Sequence, residues 1–461
     1  MKYEKFEISD QAMAAAKKAR EARRECAYSE VIPLIGEDGV TALREFMTMY
    51  GESMYFWAAS LWDTERGGFY YSHSGRDTEG YLPDVESTAQ MMRFLFNSGL
   101  YEGRGADYGE CTPDFMRDKL IGFAQSLLDS EDGYAYHPQW GYNVCTSRRG
   151  RDLGWTTGIL RQFGIAPKCK TAYERLEDAN KNKSEEKNDA LTALLPEHLT
   201  STEAFHRYLA EFDSPESKYY HGNNSYGLGN LLQSQARQIS AAGKEYEDIL
   251  FDWFAKNQRD STGLFEDGIS YDSVNGLMKI MLIYSAMHRP LPNAVKALES
   301  TIEVTGCEER PGWVCCFYNP WITINNLLTN IREFGDADKA DELQTLVQKN
   351  AAKLIKNTME KVAIFKKADG AFSYYPDFTI GGSQNAPVAI HGTPESDVNA
   401  SCISSTGVLH NMCTVLGFSQ IPIFCREDGE IFFDLIKNAS PIEKLNPIPD
   451  ALAKRSKEKP V

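Results

Sequence analysis

The run Tyr219-Tyr220-His221-Gly222-Asn223-Asn224-Ser225-Tyr226-Gly227 gathers the most chemically loaded side chains of the sequence into one short loop. Its residue types suit β-elimination from a uronic-acid sugar. An amide or guanidinium neutralises the sugar carboxylate and so acidifies the neighbouring C–H, a His or Tyr removes that proton, and a Tyr or water protonates the leaving oxygen. In this reading His221 and Tyr226 share the base and acid work, and Asn223 or Asn224 neutralises the carboxylate. The alternative is a polar loop whose asparagines cap the helix that follows.

Three further constellations could serve the same site. Arg148, Arg149 and Arg151, followed by Asp152 and flanked by Tyr142 and Trp155, could hold an anion, because the planar guanidinium matches a carboxylate or phosphate. They could equally pair with surface acids. Asp84 and Glu86 stand at the start of an apolar-periodic run, where two acids also satisfy a helix dipole. Joined to a second carboxylate from Asp272, Glu395 or Asp397, either would make a hydrolase instead of a lyase. His391 opens the long polar run that carries Glu395 and Asp397. Tyrosine dominates the aromatic runs, and Tyr70, Tyr136, Trp140, Trp321 and Tyr374 are candidate platforms for sugar rings, with polar tips at the rim. Wedging of helices is the competing role.

These residues recur in one grammar: a glycine-aromatic turn, a polar loop, then an amphipathic helix. The fullest example is RGGFYYSHSGRDTEGYLPDVESTAQMMRFL, 66–95, where Val85, Ala89, Met92 and Leu95 keep helical spacing and Pro83 suits the first turn. Looser versions span 126–164, 218–239, 253–284, 312–335 and 369–418. Helices are also expected over 11–25, 38–62 and 337–358. The polar, aperiodic 177–190 reads as an exposed insertion, and 441–461 as a tail that hugs the surface or frays. A unit of this kind cannot bury its apolar face alone, so neighbours must stack. The expected fold is all-α, a single (α/α)6 toroid over 1–461, whose polar loops line one mouth.

The Asp-Gly-aromatic turn followed by Asp84-Val85-Glu86-Ser87-Thr88-Ala89 resembles the terpenoid-cyclase and prenyltransferase class of α/α toroids. The same grammar is similar to the six-hairpin glycosidases and the alginate and chondroitin lyases. The cyclase resemblance implies Glu86 as a proton donor to an alkene and the arginines as a diphosphate site, although the sequence has Glu and Ser where that class has two aspartates. The lyase resemblance rests on the Asn223-Asn224 pair with Ser225 and Tyr226, but here His221 precedes the asparagines. Architecture alone does not fix function. The leading expectation is a lyase acting on uronic-acid-containing glycans, with a glycosidase, a cyclase-like enzyme and a non-catalytic binding toroid behind it.

A net charge of −16 argues against nucleic acid or an anionic membrane as partner, leaving a small molecule or oligosaccharide. Ten cysteines show no CxxC pair and no zinc spacing, so reduced buried thiols and no metal or cofactor are expected. The charged first 26 residues lack an apolar core for a signal peptide, and no run approaches the ~20 apolar residues of a membrane span. A cytoplasmic protein is the simplest expectation.

Overall fold

Asp84 shows how the helices are started. Its Oδ1 accepts from the backbone N–H of Glu86 and Ser87 at 3.1 and 3.0 Å, satisfying donors that have no partner inside the helix. The helix runs Val85–Asn97, so Pro83 lies one residue before the cap and not in the first turn. Val85, Ala89, Met91, Met92, Phe94 and Leu95 are all buried, as their spacing requires. Ser270, Asn224 and Asp397 cap their helices in the same way.

The computed structural model describes residues 8–144, 146–172, 174–175, 196–383 and 386–453. The expected insertion at 177–190 lies outside the described residues. Those described are overwhelmingly helical, with a single two-stranded pairing of Gly382–Ser383 against Ala386–Pro387. No described helix is long and apolar enough to cross a membrane.

Five long helices and one interrupted segment follow the aromatic turns: Val85–Asn97, Thr146–Gln162, Ser225–Ala242, Tyr271–Ala286, Cys315–Phe334, and Val398–Cys402 continuing to Val408–Val415 through a wide turn at Ile403–Gly407. Each packs on its neighbour in succession. Thr146–Gln162 lies on Val85–Asn97, which lies on Val398–Cys402. Val408–Val415 lies on Cys315–Phe334, then follow Tyr271–Ala286 and Ser225–Ala242. The closest of these contacts needs a glycine: a Cβ on Gly276 would meet Ser225 Oγ at 1.6 Å. Outside this series, Asp10–Met47 packs on Ala351–Ala363 and Arg426–Lys437, and Ala294–Thr305 and Ala337–Lys349 pack on Cys315–Phe334.

Three expected helices have different bounds. The first helix extends over Asp10–Met47, broken where Gly36 takes φ 71° beyond Pro33. The expected 38–62 helix is interrupted at Thr48–Gly51 before Glu52–Ser60, where Gly51 takes an extended conformation. The expected 337–358 helix is two, Ala337–Lys349 and Ala351–Ala363, parted at Asn350 with φ −98° and ψ 6°. The tail is pinned as far as it is described: Leu445 and Asn446 N–H donate to Asp77 O, and Lys444 Nζ donates to Arg76 O at 2.7 Å.

Candidate functional site

Glu86 is the hub of a buried ionic cluster at the start of its helix. Arg148 Nη1 lies 3.2 Å from its Oε2, Arg151 Nε 2.9 Å from the same oxygen, and Arg151 Nη2 donates to Oε1. Ser383 Oγ adds a contact at 3.1 Å. Arg148 is almost wholly buried, stacks 5.0 Å above the Trp140 ring and pairs with Asp152 Oδ1 at 2.9 Å. Asp84 Oδ1 stands 4.0 Å from Arg148 Nη2. Burial pushes the carboxyls of Asp84 and Asp152 up, Asp152 to about 6, with Arg148 opposing the shift in both.

Arg151 connects this cluster to Tyr226. Its guanidinium is partly exposed and lies close enough to influence both the Tyr226 hydroxyl and the Lys279 ammonium. Lys279 Nζ sits 5.2 Å from the centre of the Tyr226 ring. Cys315, at the start of the next helix, faces both, and its Sγ is 3.7 Å from the Tyr374 hydroxyl. Side chains from the first two turns of the helices carrying Glu86, Arg151, Tyr226 and Cys315 therefore lie near one another, with Lys279 reaching in from the third turn of Tyr271–Ala286 and Tyr374 from the loop before Val398–Cys402.

The protonation states in this group are set by burial. Desolvation lowers Lys279 below the ordinary lysine range, with Cys315 opposing and Arg151 assisting. It raises Tyr226, which keeps its proton, and raises the Cys315 thiol. An amine with a lowered pKa, a phenol with a raised one and a guanidinium are thus gathered in one place.

The other expected residues are placed elsewhere. His221 is buried, with Nε2 3.8 Å from Asp213 Oδ1 and its ring edge-on to Trp253 at 5.9 Å. It shares no partner with Tyr226, and burial holds its pKa below the ordinary histidine value. Asn224 spends its amide on the chain: Oδ1 accepts from Gly227 N at 3.0 Å and Nδ2 donates to Lys218 O at 2.8 Å. Asn223 is exposed. Arg149 lies over the Tyr134 ring at 4.9 Å, and Tyr136 donates to Asp132 Oδ2 at 2.7 Å. Tyr70 donates to Asp63 Oδ2 at 3.0 Å beneath Lys444, and Trp321 is core, its Nε1 donating to Thr358 Oγ1 at 3.0 Å. His391 is exposed, with Nδ1 2.6 Å from Ile380 O.

The second carboxylates are also committed. Glu395 accepts from Ser72 Oγ at 2.7 Å and Ser74 N at 2.8 Å, tying the first aromatic turn to the last. Asp397 accepts from Tyr374 N and Ala400 N, each at 2.8 Å, and from Thr379 Oγ1 at 3.0 Å, while burial pushes its carboxyl up to about 7. Asp272 is exposed at a helix start.

Lys279 and Cys315 join the group although the sequence expectations did not include them. Lys279 carried a signal: it is the single charge between Asp272 and Arg289, in the apolar run GLMKIMLIY. Among the described residues, no group of three or more His, Cys, Asp or Glu side chains could hold a metal ion. No protein-family model matches the chain, and no curated protein or solved structure matches it either.

Proposed function

We propose that the chain is a carbohydrate-active lyase that cleaves uronic-acid-containing oligosaccharides by β-elimination, on an (α/α)6 toroid whose inner helices start at one mouth. The toroid is supported by the unbroken succession of helix contacts from Thr146–Gln162 round to Ser225–Ala242, with Arg151 and Tyr226 facing each other across the remaining side. The observation that carries the activity is the meeting of Lys279, Tyr226 and Arg151.

In this reading the Arg151 guanidinium, held by Glu86 through Nε and Nη2, offers Nη1 to the sugar carboxylate and lowers the cost of the carbanion. Lys279, in its neutral form, takes the proton from C5, and the C–H electron pair becomes the C4–C5 double bond as the C4–O bond breaks. Tyr226 gives its proton to the departing oxygen. Lys279 here takes the base role first expected of His221, because His221 faces Asp213 and Trp253 instead. The hydrolase and cyclase alternatives have less support: Glu86, Glu395 and Asp397 are each engaged by two or more donors.

Ultraviolet absorbance during incubation with alginate, glycosaminoglycan, pectic and glucuronan fragments tests the proposal. Elimination leaves a conjugated double bond that absorbs, whereas hydrolysis leaves none. A rise that disappears in Tyr226→Phe supports it. New reducing ends without a rise would move the reading to a hydrolase.

A further inference from the structure

Beside the Glu86 helix and the Arg151 helix lies a cleft of about 490 Å³ whose lining includes Arg93, Arg151, Trp155 and Arg161 and no carboxylate. Its floor is Gly154 and Gly158, above which a Cβ would meet nothing within 4 Å. Helical spacing by four keeps these glycines on one face, so open space runs along the helix and not merely at one point. Arg93 and Arg151 share the Trp155 ring, their guanidinium carbons 4.8 and 5.8 Å from its centre.

The cleft gathers three arginines in an otherwise acidic chain, one of them, Arg151, paired with Glu86. The chain has 65 acidic and 49 basic residues, and the partly exposed or exposed Arg23, Arg44, Arg259, Arg332 and Arg426 each pair with a carboxylate. Among the described residues, Arg93 and Arg161 have no such pair. Like charges held in one concavity repel, and an acidic protein has ample means to neutralise them. Their retention unpaired, around an accessible indole, is what an anionic ligand would exploit.

We propose that this cleft is an extended subsite for a polyanionic oligosaccharide, holding the acidic groups of units beyond the one at Tyr226. The inference rests on the lyase reading for the identity of the ligand, but not for the existence of the site. Arg161 lies ten residues beyond Arg151 on one helix, about 15 Å along its axis, a span that suits spaced anions better than one sugar. The occupant that fits this spacing is a chain of several units with spaced carboxylates or sulfates.

Calorimetric titration of the intact chain tests this, in the Tyr226→Phe background so that the ligand stays whole. The ligands are a monosaccharide uronate, a hexasaccharide uronate and a sulfated hexasaccharide. The absorbance of the same samples reports any turnover. Arg93→Gln and Arg161→Gln are each expected to weaken hexasaccharide binding about tenfold, leave the monosaccharide unchanged and keep Tm unaltered. Added salt should weaken the hexasaccharide more than the monosaccharide. Equal weakening at both lengths, or no effect at either, overturns the subsite. Arginine-dependent binding of the sulfated chain alone supports the subsite while assigning its anions to sulfate. If no ligand is ever cleaved by the wild-type protein but hexasaccharide binding still depends on Arg93 and Arg161, the lyase reading fails and the subsite stands.

Discussion

The Lys279 ammonium lies 5.2 Å from the centre of the Tyr226 ring, so two neighbouring helices present an amine and a phenol to the same space. Burial drives their proton affinities in opposite directions, the lysine down and the tyrosine up. That separation is what a base and an acid working in one step need.

A pH profile follows from those directions. Lys279 must be neutral, so kcat/KM should rise with pH along a limb whose apparent pKa is below the ordinary lysine value. It should fall again only where Tyr226 loses its proton, above the ordinary tyrosine value. Lys279→Met and Tyr226→Phe should each reduce kcat by at least about 10²-fold, within the usual range for a lost general base or acid. His221→Ala should instead lower Tm and leave kcat within about twofold, because His221 packs on Trp253. Initial rates from pH 5 to 11 on the four proteins check this. A large kcat loss in His221→Ala would return the base role to that residue.

Glu86→Gln is expected to act on stability before activity. The carboxylate holds Arg148 and Arg151 together, and Arg148 is almost wholly buried. Removing the charge leaves Arg148 with Asp152 at 2.9 Å and Asp84 at 4.0 Å as its ionic partners, and breaking a buried pair costs about 3–5 kcal/mol. The shared pairing with Asp152 places the expected loss near the lower end. Urea denaturation of the two proteins measures it. Unchanged stability with abolished turnover would revive Glu86 as a proton donor.

The Asp397 carboxyl, pushed up to about 7 by burial, makes stability depend on pH. Between its unfolded value near 4 and 7 the folded form binds the extra proton, so stability should fall as pH rises through that window and level off above it. The full effect is about 4 kcal/mol, net of the donors from Tyr374, Thr379 and Ala400, which hold the shift down. Asp152, raised to about 6, adds a slope of the same sign over a narrower window. Asp397→Asn keeps a capping oxygen and should flatten part of the slope. Urea midpoints at pH 5 and 7.5 give the comparison, and a wild-type midpoint that increases with pH would contradict the assignment.

Local rules made the helices after the aromatic turns legible. The periodic run from Val85, the capping position of Asp84 and the turn glycines each follow from nearest neighbours in sequence. Helix breaks at Thr48–Gly51 and Asn350 were not legible, since neither Pro nor an uninterrupted polar run marks them. For the proposed site, residue type singled out Tyr226 and Arg151 together with His221 and Asn224 and could not separate them. His221 lies five positions before Tyr226, yet its ring turns toward Asp213 and Trp253, and that direction depends on a helix whose sequence lies some thirty residues later. Lys279 was hidden for the opposite reason: a lone charge in an apolar helix has no local partner to announce it. Only the neighbouring helix brings Tyr226 to it.

That neighbouring contact gives the sharpest packing test. Ser225 N and Oγ both donate to Glu266 Oε1, at 2.8 and 2.6 Å, which fixes the first turn of the Tyr226 helix. Against this turn lies Gly276, where a Cβ would fall 1.6 Å from Ser225 Oγ and 3.1 Å from its carbonyl carbon. The Ser225 Cβ would also lie only 2.6 Å away, so rotamer change alone gives no relief and Ser225 must be lifted off Glu266. Overpacking commonly costs 1–3 kcal/mol, and contact with anchored backbone puts Gly276→Ala at about 3 kcal/mol. Because the same displacement would move Tyr226 away from Lys279, turnover should fall even at temperatures where the variant is folded. The double variant Gly276→Ala with Ser225→Gly removes the clashing side chain and should recover part of the lost Tm. No recovery would mean that the backbone of the first turn, and not the Ser225 side chain, sets the distance between these helices.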